Sequence, residues 1–423
     1  MLAVLRHRAY RRLFAAQVVA LAGTGLATVA LGLLAYDLAG ARAGAVLGTA
    51  LAVKMLAYLL VGPAATALAE RLPRRTLLVA MDVARALVAL ALPFVTEVWQ
   101  VYGLVLVLQS ASAAFTPTFQ AVIPEILPDE ADYTKALSLS RLAYDMESLF
   151  SPALAAALLS LVGYQWLFTG TAAGFAASAL LVVSVVLPKL APRGKVKRAN
   201  GFRLYAAVPR LRGLILAHLA VAAATAMVVV NTVVLVRDVL GRGDGDTAVA
   251  LGACGTGSML AALALPRLLA RTGDRAVMLP AAAVLAAGLS VLAAALRWEL
   301  LGWTGLLVLW AVLGAATGAI LTPTGRLVAS AAAPHERPAA FAAQFSLSHG
   351  WFLLTYPAAG WLAAQAGTGT GAAALAAAAA AAWIAGTVVW PAEPVSTPRT
   401  CGDGSPGPRR RSRRPAAPGA PRR

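Results

Sequence analysis

Apolar runs of about 20 residues, broken by short clusters of charge, proline and glycine, recur along the chain. A run of that length crosses the hydrocarbon core of a bilayer as a helix, whereas a barrel strand needs only about 10 residues of alternating polarity. The pattern predicts helices near 13–36, 44–68, 76–93, 99–118, 137–161 and 165–187, then near 212–236, 247–269, 276–296, 303–325, 339–364 and 371–390. The expected fold class is an all-α membrane protein, with twelve transmembrane helices in two pseudo-symmetric six-helix bundles. The last run is a long alanine stretch, barely hydrophobic enough to cross, with Trp383 and Trp390 placed to suit an interface.

Composition agrees with this pattern. Hydrophobic residues make up 60% of the 423 and charged residues 13%, against roughly 25% charged in soluble domains; the mean hydropathy is +0.74. The net charge of +18 would suggest nucleic acid in a soluble chain. Here the basic residues sit in short loops and tails without interleaved aromatics, so no nucleic-acid partner is expected. Cys254 lies in an apolar span and Cys401 in the basic tail, which excludes a disulfide framework. The segment from Met1 to Arg12 reads as a basic arm before an uncleaved first helix.

The basic residues also orient the spans. With both termini and every even-numbered loop in the cytoplasm, that side receives Arg6, Arg8, Arg11, Arg12, Arg71, Arg74, Arg75, the basic 188–212 stretch, Arg267, Arg271, Arg275, Arg326, Arg337 and the tail arginines. The opposite side receives Arg42, Arg237, Arg242 and Arg297. A bacterial cytoplasmic (inner) membrane location is expected.

Internal similarity suggests two halves built on one plan. Thr116-Pro117-Thr118 is placed at the end of the fourth helix with Pro128 eleven residues after Pro117; Thr322-Pro323-Thr324 is placed at the end of the tenth with Pro334 eleven after Pro323. Arg71 and Arg75 match Arg271 and Arg275, and Ser138-Leu139-Ser140 matches Ser346-Leu347-Ser348. The organisation expected is an N-terminal bundle over 1–187, a basic cytoplasmic linker over 188–211, a C-terminal bundle over 212–390 and a disordered basic tail over 391–423. Paired bundles of this kind suit a transporter that rocks around a central site.

The loop after the second helix, Thr66-Ala67-Leu68-Ala69-Glu70-Arg71-Leu72-Pro73-Arg74-Arg75, resembles the signature of the major facilitator superfamily, Gly-x-Leu-Ala-Asp-Arg-x-Gly-Arg-Arg, with both glycines replaced. The resemblance implies that Glu70, Arg71 and Arg75 belong to a charge network steadying one conformation; Arg74, Asp82 and Arg85 are assigned to the same network. Ser151-Pro152-Ala153-Leu154-Ala155-Ala156 is a softened form of the superfamily's antiporter motif, and Tyr356-Pro357-Ala358-Ala359-Gly360 is a looser counterpart. Small residues in both permit close helix approach, so Ser151, Pro152, Pro357 and Gly360 are candidate packing positions. Residues 96–102, 113–120, 136–145 and Ala343-Gln344-Phe345-Ser346-Leu347-Ser348-His349-Gly350 resemble bacterial nickel-resistance exporters of the superfamily. That likeness implies proton-driven efflux of nickel or cobalt. Such exporters often end in a histidine-rich tail, and this tail has arginine and no histidine.

Charges inside a membrane are costly, so each asks for a reason. Lys54 lies within the second helix, and Asp82 and Arg85, one turn apart in the third, read as a neutralising pair. In the fifth helix Arg141 and Asp145 share a face with Ser138, Ser148 and Pro152, while Glu147 points elsewhere with Tyr144 and Ser151. Proton coupling needs a buried carboxylate that takes up proton and substrate in turn. Glu147 lacks a basic neighbour at helical spacing and is the better candidate than Asp145, which pairs with Arg141; the other reading places both in water near the cytoplasmic end. His218 and His349 are the histidines within spans, and His349 is the one placed as a metal ligand; helix-to-helix hydrogen bonding is the alternative for each. Asn231 is a further candidate for lining the path. Gly23-Thr24-Gly25 and Gly255-Thr256-Gly257 are read as helix-packing glycines, and Asp37 as a solvated helix end.

The leading expectation is a proton-coupled exporter of nickel or cobalt, with efflux of an amphipathic drug as the alternative. The expected partners are a small-molecule or metal-ion substrate, protons and the bilayer, with no cofactor and a monomeric chain. A membrane enzyme would need a nucleophile or metal constellation at one depth, and the sequence offers none.

Overall fold

A computed structural model describes residues 2–69, 73–127, 129, 132, 136, 139–140, 143, 147, 151, 154–185, 201–333 and 336–390, and the regular structure in them is helical. Nine stretches of the described residues are long and apolar enough to cross a bilayer, as a multi-pass membrane protein requires. The first, Arg8–Val61, contains most of two helices, α1 (Arg8–Ala39) and α2 (Ala43–Ala69). There follow α3 (Arg74–Ala91) and α4 (Val98–Ile126). The helical residues 132, 136, 139, 140, 143, 147, 151 and 154–159 are termed α5. Next come α6 (Gln165–Val183), the short α7 (Gly201–Ala207), α8 (Pro209–Val234), α9 (Asp244–Thr272) and α10 (Asp274–Arg297). The chain continues through α11 (Trp303–Ala331), α12 (Arg337–Ala366) and α13 (Thr368–Val389). α12 falls outside the nine stretches because Gln344, Ser346, Ser348 and His349 lower its hydropathy.

Local chemistry explains several boundaries. Glu97 and Gln100 form a capping box at the start of α4, with the Gln100 side chain accepting the Glu97 backbone N–H at 3.1 Å. Residues 96–102, which carried part of the exporter resemblance, therefore serve here as a helix start. The Asp246 carboxylate accepts the Gly243 N–H at 3.2 Å where α9 begins.

One expectation is corrected. Thr-Pro-Thr does not end a helix in either place, because α4 runs on to Ile126 and α11 to Ala331. Proline frees a carbonyl within each helix, and threonine hydroxyls supply local hydrogen bonds beside it. Thr118 Oγ1 donates to the Ala114 carbonyl at 2.8 Å, and Thr324 Oγ1 to the Ile320 carbonyl at 2.8 Å. Within the segment expected as a linker, 188–211, the described residues include the short helix α7, and α8 begins at Pro209. Gly201 lets α7 lie close against α12, since a Cβ there would collide with the Ala339 carbonyl. Pro128 and Pro334, used in the repeat, lie outside the described residues.

Small residues set how closely the helices approach. At the crossing of α2 and α12, a Cβ on Gly48 would strike the Tyr356 carbonyl and one on Gly360 the Gly44 carbonyl. Arginines bind carbonyl groups at helix C-termini, where the helix dipole favours a cation. Arg75 at the start of α3 donates to the Val183 carbonyl ending α6, and Arg275 at the start of α10 donates to the Trp390 carbonyl after α13 at 2.8 Å. Arg12 reaches the Ser184 carbonyl at 2.6 Å and Arg210 the Ser330 carbonyl at 2.8 Å. These contacts define an arginine-rich end of the bundle.

Candidate functional site

A cavity of about 810 Å³ lies among α1, α5, α8, α9, α11 and α12. Most of its wall is apolar, and the polar groups include Thr28, Glu147, Ser151, His218, Gln344 and His349. It extends from Val233 of α8 to Gly325 and Phe341, near the arginine-rich end. Glu147 is the carboxylate among the described lining residues, and Lys54 on α2 interacts with it electrostatically. α1 can approach α5 here because Gly25 faces the Ser151 side chain, which a Cβ would overlap.

His218 is buried and fully engaged. Its Nδ1 lies 3.0 Å from the Leu214 carbonyl, which can only accept, so Nδ1 carries the proton. Its Nε2 lies 3.1 Å from the Gln344 amide nitrogen, which donates to it. The Gln344 carbonyl oxygen in turn accepts the Tyr205 hydroxyl of α7 at 2.7 Å. Burial raises the Tyr205 hydroxyl above the ordinary tyrosine range, so it stays a donor at physiological pH.

His349 belongs to an aromatic group. Its ring stacks on Phe345 with centroids 3.8 Å apart and meets Tyr58 of α2 edge-on at 5.8 Å. Its Nδ1 donates to the Phe345 carbonyl at 2.8 Å, and Lys54 lies within electrostatic reach of it. Among the described residues, no group of three or more histidine, cysteine or carboxylate side chains is arranged to hold a metal ion. Of the two histidines, His218 is the more enclosed and His349 is half-buried.

The other candidates fall in different places. Asp82 and Arg85 form a buried ion pair away from the cavity wall, completed by the Ser178 hydroxyl, which donates to Asp82 at 2.8 Å. The Arg85 guanidinium stacks against Phe115 at 4.2 Å and Phe175 at 4.4 Å. The pair thus ties α3, α4 and α6 together. Asn231 does not line the cavity, because it faces α12, where its amide donates to the Ala359 carbonyl at 3.2 Å. Arg74 is buried, Arg75 binds α6 as described, and Pro357 sits half-buried inside α12. Glu70, Arg71, Arg141, Asp145 and Pro152 lie outside the described residues. Asp37 is exposed. Gly23 packs against the Thr171 backbone of α6 and Gly257 against the Ala311 backbone of α11.

At the other end of the bundle, α1 is fastened to the turn that follows α8, and α2 to α12. Tyr36 donates to Asp238, the Arg237 guanidinium lies 4.5 Å from the Tyr36 ring, and Trp361 donates to Thr49 at 3.0 Å. Tyr205, Tyr58 and the roles of Lys54 and Gln344 escaped notice in the sequence. A partial signal existed in α12, where Phe341, Gln344, Phe345, Ser348, His349 and Phe352 recur at helical spacing.

Residues 13–305 match the family profile described as Major Facilitator Superfamily. The chain belongs to the major facilitator superfamily. The uncharacterized MFS-type transporter YfiS of Bacillus subtilis is 30% identical over 127 residues, 30% of each chain. Macrolide efflux protein A of Enterococcus faecalis is 30% identical over 158 residues, 35% of this chain and 48% of that one. This superfamily member thus spans less than half the length of those curated relatives. Its fold matches that of the nucleoside transporter NupG, with a TM-score of 0.66 at 15% identity over 91% of this chain and 99% of that one. It also matches the D-xylose-proton symporter, with a TM-score of 0.70 at 14% identity over 90% and 98%. Family and fold are those of a transporter and not of an enzyme.

Proposed function

We propose that this superfamily member is a proton-coupled exporter of amphipathic organic molecules in a bacterial cytoplasmic membrane, working as a monomer of two six-helix halves that rock about the cavity. The observation that carries this reading is the cavity itself. Its volume of about 810 Å³ and largely apolar wall suit a drug-sized molecule, and Glu147 on that wall can exchange a proton for substrate. The segment shared with macrolide efflux proteins supports the same cargo class. Antiport follows if proton entry and substrate exit use Glu147 in alternation.

Nickel or cobalt, first in the expectation from sequence, becomes the second reading. It is favoured by His218, His349 and Glu147 sharing one cavity. Against it, both His218 nitrogens are already hydrogen-bonded. The two readings separate in an efflux-deficient bacterial host expressing the chain. Lower erythromycin accumulation, reversed by a protonophore and absent for Glu147→Gln, is the result expected. Unchanged macrolide accumulation together with raised nickel tolerance would transfer the assignment to the metal.

A further inference from the structure

Three buried side chains connect the linker to the cavity in one direction of hydrogen bonding. Tyr205, Gln344 and His218 are 4%, 7% and 5% exposed. The direction is fixed at the Leu214 carbonyl, which requires the proton on Nδ1 of His218. That leaves Nε2 as an acceptor, so the Gln344 amide must turn its NH₂ toward it and its oxygen toward Tyr205. A flipped amide would set two acceptors against each other at His218. Gln344 and His218 line the cavity, whereas Tyr205 stands behind them on α7.

We infer that Tyr205 is a positioning residue for the cavity: through the Gln344 amide it keeps Nε2 of His218 capped and the imidazole neutral. The inference rests on the proposed transport site, since it specifies what that wall offers a substrate. With Nε2 occupied, His218 presents no free lone pair to a cation. Gln344 uses one amide hydrogen on His218 and keeps a second. This part of the wall therefore favours uncharged hydrogen-bond acceptors, such as the ether and carbonyl oxygens of an amphipathic molecule.

The relay also makes α7 sensitive to charge in the cavity. A proton added at Nε2 would face the Gln344 NH₂, donor against donor, and the amide would rotate to offer its oxygen. Its NH₂ would then confront Tyr205, whose hydroxyl would have to accept in place of donating. The ionisable groups that share the cavity wall with His218 are Glu147 from α5, His349 from α12 and Cys254 from α9; of these His349 acts on it electrostatically, and Lys54 of α2 acts on Glu147 and His349.

Diethyl pyrocarbonate, which acylates an unprotonated imidazole nitrogen, tests the cap directly. Purified full-length protein, with Tyr205→Phe and Gln344→Leu variants, would be treated and each histidine peptide quantified by mass spectrometry. Phenylalanine keeps the ring packing and removes only the hydroxyl. Tyr205→Phe is expected to raise the rate at His218 roughly fivefold, the population change for one neutral hydrogen bond, with a larger rise for Gln344→Leu. His349 shares the cavity but not the relay, and its rate should stay constant in Tyr205→Phe. An unchanged rate at His218, or equal increases at both histidines, would overturn the inference. Erythromycin and nickel flux in proteoliposomes complete the test. Selective reactivity at His218 with no flux of either probe from the wild-type protein would remove the transport reading and leave the relay standing.

Discussion

Glu147 and Arg85 illustrate two ways an ionisable side chain survives in an apolar bundle. Arg85 is matched by Asp82, which also accepts the Ser178 hydroxyl, and is covered by two phenylalanines. Removing one partner leaves a buried charge uncompensated, so Asp82→Asn should destabilise the protein by about 3–5 kcal/mol. Thermal unfolding in detergent checks this, and joint replacement by Leu and Met should recover much of the loss. Glu147 has Lys54 nearby and faces a cavity. Glu147→Gln is expected to abolish flux driven by a pH gradient in inverted vesicles while leaving substrate exchange without a gradient measurable. The two acidic positions differ little as letters in a sequence. Local spacing already separates them, with Arg85 one turn from Asp82 and no basic residue beside Glu147, and the other helices add Ser178 to the first and Lys54 to the second.

Helix pairing is governed by where side chains are missing. The crossing of α2 and α12 brings backbone against backbone at Gly48 and Gly360. Gly48→Val should force the two helices apart, at a cost of about 1–3 kcal/mol for overpacking. With Cys254 and Cys401 replaced by serine, Thr49→Cys should then react faster with a membrane-impermeant thiol reagent, because Trp361 no longer covers it. An unchanged labelling rate would show that the crossing tolerates the extra methyl groups. The sequence marked Gly360 as a packing position, but its partner on α2 could not be read from spacing. The Thr-Pro-Thr segments teach a related point. Proline suggested helix ends, yet both helices run on, with the Thr118 and Thr324 hydroxyls bonded one turn back.

For the whole molecule, the arginines set the orientation proposed and also fasten the helices. Arg75 and Arg275, matched by position in the sequence, bind the ends of α6 and α13 in the same manner. Reporter fusions after residues 195 and 410 should both be active in the cytoplasm, and a fusion within 299–302 should report the outer face. Opposite faces for the first two would refute the orientation proposed here. Arg75→Ala and Arg275→Ala should each weaken one helix contact by about 1.5–3 kcal/mol, as for a charge-assisted hydrogen bond, visible as lowered thermal stability. Similar losses from the two variants are expected if the repeat is functional as well as structural.

Hydrophobic periodicity and charge asymmetry by themselves determined the membrane class and the approximate helices, because each depends on composition summed over a local window, and the superfamily came from the resemblance of the loop after the second helix to a known signature. The tertiary structure alone decided that Glu147, His218 and His349 share a cavity, that Asn231 does not, and that Tyr205 in the linker reaches His218 through Gln344. Most of those relations join residues over 100 positions apart, and no local rule of spacing encodes which faces of two distant helices will meet.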